Sequence, residues 1–399
     1  MKKTILTFLF LLLFLLKTVA QNKATAIFEV FTKDQKASIL YDKAIALDSI
    51  LAYSLAEDIF KVTGFKPLVT KNKDAASGNV IVIGRHQSKL VQSFLGKKNN
   101  FKNFEKQWES YAYKTVLNPN KKITKAFVVA GTDPRGTAFG VFDLSQKMGV
   151  SPWYWWSDVP VVQQKELVLL QKDFQSKAPS VKFRGIFLND EDWGLRPWAS
   201  KKFEPEVGNI GPKTYAKIFE LMLRLKSNTI WPAMHEGTTA FFNIPGNAKI
   251  AEAYQIVIGS SHAEPMLRNN VDEWKEKEMG HFNYITNQNN VLKYWEDRVK
   301  ESKNVDAIYT IGMRGIHDSA MEGVKTSKEG AELLTQIIKD QRKLLETYIN
   351  PDVTKVPQAF TVYKEVLDLY DEGLKVPEDI TLVWTDDNYG YIRRLSNPE

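Results

Sequence analysis

The sequence predicts an α/β protein of two domains: a small N-terminal α/β domain followed by a (β/α)8 barrel of the TIM type, truncated after about six strands. Three observations predict it. Six short apolar segments in the second half are spaced by helical stretches, the signature of βα units and a parallel sheet: FRGIFLNDED (183–192), TIWPAMHE (229–236), YQIVIGSSHAE (254–264), AIYTIGMRGIHD (307–318), FTVYKEV (360–366) and TLVWTDDN (381–388). These segments end in acids, histidines or an arginine, as the strands of a barrel do at its catalytic face. Residues from about 24 to 175 form a separate, smaller α/β pattern.

The chain opens on a secretory signal. Lys2 and Lys3 supply a positive start, Ile5 to Leu16 an apolar run, and Thr18-Val19-Ala20 a small-x-small cleavage site before Gln21. The apolar run is shorter than the ~20 residues a spanning helix needs, so no membrane association is expected after cleavage. The expected organisation is a signal over 1–20, an α/β domain over 21–178 and the barrel over 179–399, in a protein that is secreted or periplasmic. Cysteine is absent, which excludes disulfides, a lipid-anchored Cys and thiolate chemistry.

In the first domain IFEVFT (27–32) and SILYD (38–42) read as a hairpin. Ile45 to Val62 has helical apolar spacing and ends at Gly64. NVIVIGR (79–85) and KAFVVAGTD (125–133) read as buried strands, and RGTAFGVFDLSQKMGV (135–150) as a helix closed by Gly149. The GTDPRG turn matches neither a P-loop nor a dinucleotide fingerprint and is taken as a tight strand-to-helix turn. An aromatic-rich connection, SPWYWWSDVPVV (151–162), leads to a closing strand, ELVLLQ (166–171). In the second domain YAKIFELMLRLKSN (215–228) and KEGAELLTQIIKDQRKLLETYI (328–349) are amphipathic helices. Six strands leave a barrel open, with apolar sheet edges, so the sequence is expected to be the N-terminal part of a longer protein.

Composition narrows the function. The hydrophobic, aromatic and charged fractions of 43%, 12% and 25% are those of a globular chain. The net charge of +7 is spread over Lys73, Lys98, Lys102, Lys121, Lys201 and Lys300 rather than gathered in a stripe, which argues against a nucleic-acid partner. Ten tryptophans offer aromatic faces of the kind sugars stack on.

The strand ends supply Asp190, Glu191, Asp192, Glu236, Glu264, Asp318, Glu365, Asp386 and Asp387. Glycoside hydrolysis needs two carboxyl groups, one protonating the leaving oxygen and one activating water or attacking the sugar. Glu365 follows an apolar strand directly, where burial favours a protonated acid. Asp318 closes RGIHD, four residues after Arg314, which can hold a carboxylate ionised or clamp an anionic substrate. Each has a structural alternative: Asp192 and Asp387 as helix caps, Arg314 as the centre of an ion pair. A metal site built from His235-Glu236, His262-x-Glu264, His317-Asp318 and Asp386-Asp387 is the rival chemistry, but the first strand lacks the HxH pair of such barrels, so neither metal nor cofactor is expected. His262 is better read as a neutral donor to a sugar hydroxyl, and His86 and His281 as surface residues.

FRGIFLNDEDWGLRPWA (183–199), YTIGMRGIHDSAM (309–321), LVWTDDNYGYIRRLSNPE (382–399) and GTAFGVFDLSQKMGVSPWYWWSDVPV (136–161) resemble the α-glucuronidases of glycoside hydrolase family 115. The resemblance implies an exo-acting, inverting enzyme that removes (4-O-methyl-)α-D-glucuronic acid linked 1,2 to xylose in glucuronoxylan. It implies functional positions at Asp192, Arg314, Asp318, Glu365, Asn388 and His262. Glu365 is then the general acid, Asp318 or Asp192 the base, and Arg314, Asn388 and His262 bind substrate. Full members of that family continue beyond the barrel, with dimer contacts there. The alternatives are a hexosaminidase-like exo-glycosidase, for whose adjacent Asp-Glu pair the nearest analogues are Asp190-Glu191 on the first strand and Lys364-Glu365 on the fifth, a poor match, and a glycan-binding protein without turnover.

Overall fold

A computed structural model describes residues 27–96, 101, 103–170, 172–386 and 390–391. The expected signal at 1–20 and the site residue Asn388 lie outside the described residues. The described residues divide into two compact units, one up to Ser180 and one from Val181.

The first unit contains strands β1 (Phe28–Phe31), β2 (Ser38–Tyr41), β3 (Val69–Thr70), β4 (Gly78–Arg85), β5 (Tyr111–Leu117), β6 (Ile123–Gly131), β7 (Leu167–Leu169) and β8 (Phe174–Gln175). Its helices are α1 (Ala46–Thr63), α2 (Lys89–Leu95) and α3 (Pro134–Lys147). Six strands form one sheet in the order β3-β2-β4-β6-β5-β8, parallel from β3 to β6 and antiparallel at β5 and β8. The near-continuous apolar runs of β4 and β6 suit strands covered on both faces. Leu40, Val80, Val82 and Val128 pack with Val91, Phe94 and Leu95 of α2.

The expected hairpin does not form. The chain does turn back, with Thr32 N–H on Gln35 O at 2.8 Å and Ala37 N–H on Val30 O at 2.8 Å. The strands then part: β1 pairs antiparallel with β7, while β2 runs parallel to β4. Both read as apolar segments because each is buried against a different neighbour. The GTDPRG turn is the expected strand-to-helix turn. Asp133 caps α3 by accepting from Gly136 N at 2.8 Å, and Pro134 occupies the first helical position, where its missing N–H costs nothing. His86, read as a surface residue, is only 2% exposed and meets the edge of Phe104 at 5.2 Å; His281 is exposed as expected.

The second unit contains β9 (Gly185–Phe187), β10 (Thr229–Trp231), β11 (Val257–Ile258), β12 (Tyr309–Thr310), β13 (Gln358–Val362) and β14 (Thr381–Trp384). Its longer helices are α4 (Pro212–Arg224), α5 (Asn247–Tyr254), α6 (Gln288–Ser302), α7 (Ser327–Tyr348) and α8 (Glu365–Asp371). The strands form two parallel three-stranded sheets, β11-β10-β9 and β12-β13-β14. A parallel bridge between Ile258 and Ala307 joins them, with Ile258 N–H on Asp306 O at 2.9 Å and Ile308 N–H on Ile258 O at 3.0 Å. The six strands therefore lie side by side in chain order. No closed barrel forms among the described residues, and β9 is an edge strand. A cavity of about 580 Å³ lies among Ile186, Trp231, Ala359 and Val383 of these strands with Phe183 and Ile308 beside them, and none of Glu191, His235, Arg314, Asp318 or Glu365 lines it.

The helices follow the expected amphipathic pattern. In α7 Leu334, Ile337, Ile338, Gln341 and Leu345 are buried on one stripe, and Thr326 caps the start by accepting from Glu329 N at 3.2 Å. That stripe joins Trp295 and Val299 of α6, Tyr309 of β12 and Phe360 of β13 in one apolar core. The strand expected over 254–264 shrinks to Val257–Ile258, because the chain beyond Gly259 turns into loops that carry His262 and Glu264. Among the described residues no helix is long and apolar enough to cross a membrane.

Candidate active site

Because the strands are parallel and adjacent, the segments after β9, β10, β11, β12 and β13 emerge at one end of the sheet. Each brings reactive side chains there. Arg314, the first residue of RGIHD, is 2% exposed. Its guanidinium donates through Nε to Glu365 Oε1 at 2.8 Å and through Nη2 to Glu365 Oε2 at 2.7 Å, a bidentate pair. Nη1 donates to Asp318 Oδ1, and Nη2 also reaches the Asp318 carbonyl at 3.2 Å. Burial alone would lower the Arg314 pKa, but the bonds to Glu365 and Asp318 outweigh it and hold the group above its ordinary value.

Asp318 is the meeting point of three donors. Besides Arg314 it accepts from Lys364 Nζ at Oδ2 and faces His262 Nε2 at 3.0 Å. Partial burial alone would raise its pKa, but the bonds from Lys364, Arg314 and His262 pull it down to about 2. Burial lowers the pKa of His262 against the opposing hydrogen bond to Asp318, which keeps the imidazole neutral at pH 7. Tyr363 packs its ring edge-on against His262 at 4.8 Å and lies 5.6 Å from the Arg314 guanidinium carbon. Glu365 sits in the first turn of α8 after Lys364, whose φ of 50° turns the chain sharply from strand to helix.

A second group stands at the ends of β9 and β10. The register pairs Phe187 with Trp231, so residues 190–192 and 234–235 fall beside each other. The Glu191 carboxylate is 3% exposed and accepts the backbone N–H groups of Met234 and His235, both at 2.6 Å on Oε1. Its other oxygen lies 2.9 Å from His235 Nδ1, and Asp192 Oδ1 lies 3.5 Å from the same nitrogen. The ligand atoms of Glu191, Asp192 and His235 are within 4.8 Å of one another, close enough for an ion by distance. Glu191 Oε1 already takes two backbone N–H groups and Oε2 faces the imidazole, an arrangement that suits a hydrogen-bonded acid–imidazole pair.

Glu264, on the loop after β11, lies within reach of a charge from each group, Glu191 in one and Asp318 in the other. It is 2% exposed, and burial raises its pKa to about 8 against the lowering hydrogen bond from Ser261, with Glu191 and Asp318 adding repulsion.

Of the site residues expected from sequence, Arg314, Asp318, Glu365 and His262 converge in one hydrogen-bonded cluster. Asp192 stands in the neighbouring group, and His317 and Glu236 are exposed outside both. Sequence reasoning missed Lys364 and Tyr363 as members of the cluster, and paired His235 with Glu236 when its partner is Glu191. The missed signal was the register of β9 against β10.

Residues 176–399 match Glycosyl hydrolase family 115. The solved structure of a family GH115 4-O-methyl-α-glucuronidase with specificity for decorated arabinogalactans is similar at a TM-score of 0.83 and 41% identity, covering 93% of this chain and 47% of that one. The chain thus spans about half the length of that relative. A GH138 enzyme targeting pectin rhamnogalacturonan II reaches a TM-score of 0.46 at 14% identity, over 87% of this chain and 38% of that one. No curated protein matches.

Proposed function

The chain belongs to glycosyl hydrolase family 115, and from that membership we propose that it is the site-bearing part of an exo-acting, inverting α-glucuronidase. Its substrate is (4-O-methyl-)D-glucuronic acid linked α-1,2 to xylose in glucuronoxylan. One observation carries the reading: a buried arginine at the end of β12 holds two carboxylates and stands beside an aromatic ring and a neutral histidine. Such a guanidinium is the natural partner for the carboxylate of a uronic acid.

The arrangement gives Arg314 a second task. A uronate that takes over the guanidinium fork displaces Glu365, which then sits beside a new negative charge and without its cation. Freed from the fork, Glu365 is placed to serve the leaving oxygen as the general acid. His262 and Asn388 bind sugar hydroxyls, and Asp192 or Asp318 is the carboxylate available to water. Asp318 is the weaker of these two bases, because three donors hold its lone pairs.

The same reading takes β9 to β14 as most of a (β/α)8 barrel over 179–399, following in sequence an α/β domain over 21–178. It takes residues 1–20 as a cleaved export signal, and the longer protein as a homodimer. A second substrate, glucuronic acid on arabinogalactan, is favoured by the 41% identity to a relative with that specificity.

The test uses the gene product through its natural stop codon. It is incubated with glucuronoxylan and with arabinogalactan, and sugar release is followed by proton NMR. The expected outcome is β-anomeric (4-O-methyl-)glucuronic acid from wild type and a loss of about 10²–10⁴ in rate for Glu365→Gln. Absence of release from both polymers and their oligosaccharides overturns the reading in favour of a glycan-binding protein.

A further inference from the structure

We propose that His235, oriented by the buried carboxylate of Glu191, is a further catalytic residue of this site: the base that accepts the proton of the attacking water. The inference rests on the glycosidase reading above and puts His235 in the place that reading gave to the carboxylate of Asp192 or Asp318.

The argument begins with Glu191. A buried carboxylate is costly unless its lone pairs are filled, and here they are filled by the N–H of Met234, the N–H of His235 and the ring nitrogen Nδ1 of His235. Two of these three donors belong to the residue that is being oriented, so backbone and ring are fixed together. A carboxylate that only accepts demands a proton on Nδ1, which makes Nε2 the ring nitrogen that can offer a lone pair. Asp192 Oδ1 lies 3.5 Å from Nδ1, and so adds its negative charge on the same edge of the ring. Both carboxylates therefore stand ready to stabilise the imidazolium that forms once Nε2 takes a proton. Nε2 has no protein partner among the described residues, and the side chain is 34% exposed.

The alternatives within the site are less suited. Asp318 is committed to Arg314, Lys364 and His262, and Glu365 to Arg314. Asp192 Oδ1 faces the imidazole at 3.5 Å without a hydrogen bond, and no side chain among the described residues orients that carboxylate. Glu264 is buried against Ser261. Among the described residues of the site, the His235 ring alone combines an orienting carboxylate with a free, partly exposed acceptor.

The step balances as follows. Nε2 takes a proton from water as the water oxygen forms its bond to the anomeric carbon. The bond from that carbon to the leaving oxygen breaks, and the leaving oxygen takes the proton of Glu365. His235 then returns its proton to solvent and Glu365 is reloaded. His235 is thus the catalytic base and Glu191 a positioning residue.

The deciding experiment compares wild type, His235→Ala, His235→Asn, Asp192→Ala and Glu365→Gln, each checked for folding by circular dichroism, with and without sodium azide. Azide attacks without a proton to lose and so bypasses a missing base. In both His235 variants kcat is expected to fall by about 100-fold or more with little change in KM. Azide should restore at least tenfold of that and yield the β-glucuronosyl azide, while Glu365→Gln on a natural leaving group is not rescued. In protein labelled with 15N-histidine, the ring whose signal is lost in His235→Asn should show Nδ1 protonated, and Glu191→Gln should shift that signal alone. Near-wild-type kcat in both His235 variants, or azide rescue of Asp192→Ala instead, overturns the inference and leaves the glycosidase reading standing. Loss of activity on chelation, restored by a divalent ion, overturns it in favour of an ion at the same side chains. Wild type that releases no glucuronic acid takes both readings down.

Discussion

At Glu264 a carboxyl group 2% exposed lines a cavity of about 20 Å³ with Ser260 and Asn269, and takes the Ser261 hydroxyl on one oxygen. Its pKa of about 8 in the fold lies above that of an unfolded glutamate near 4.5. The fold therefore gains most from this group below pH ~4.5, where both states hold the proton, and loses that gain as pH rises to about 8, where only the folded state still does. Glu264→Gln is expected to remove this slope, and the stability difference between variant and wild type should grow by up to roughly 4 kcal/mol from pH 4.5 to 8. Urea unfolding at a series of pH values checks it. Asp318 works in the opposite sense: its depressed pKa contributes above the unfolded value near 3.8 and is lost as pH falls towards 2. At Arg314 the conservative change to Lys removes the fork but keeps the charge. It should raise KM for a glucuronide about tenfold or more while leaving an uncharged glycoside unaffected. Arg314, Asp318, Glu365 and His262 were legible because each closes an apolar run. The pairing of Glu191 with His235 and of Lys364 with Asp318 was not, because a chain read alone does not say which strand end faces which.

Among the elements, β9 depends on a residue with no side chain. A Cβ on Gly185 would fall 1.7 Å from the carbonyl oxygen of Thr229, across the β9–β10 ladder. Gly185→Ala is expected to break that pairing, destabilise the second unit by more than ~3 kcal/mol and move Glu191 off His235. Loss of soluble protein, or in any soluble fraction loss of the Nδ1-protonated histidine signal, checks it. Helix α4 depends on a buried acid. Glu204 accepts from Lys213 N and Thr214 N, each at 3.0 Å, and from Thr214 Oγ1 at 2.9 Å, filling the donors at the helix start. Glu204→Ala should cost about 1–3 kcal/mol in chemical denaturation. The helices were legible from their apolar stripes and caps. The β1–β2 hairpin was misread because a tight turn between two apolar segments signals proximity of their ends, not pairing along their lengths, and β7 and β4 supply the better partners.

For the molecule as a whole, the first unit has a six-stranded sheet and an apolar core of its own. Residues 27–180 produced alone should unfold in one cooperative urea transition; a non-cooperative melt would show that this unit leans on the rest of the chain. The second unit differs in kind, since β9 to β14 are neighbours in the order in which they are made. During synthesis every new strand leaves the ribosome to find its partner already in place, and the sheet can grow at one edge only. Its assembly is thereby a sequence in time: the side chains of the candidate site arrive in the order Glu191, His235, His262, Arg314, Glu365, and the arginine is made before the glutamate that it grips. Nascent chains stalled after successive strands should gain protease resistance stepwise from β9 onward, and a fault in the earliest strands should block all that follow.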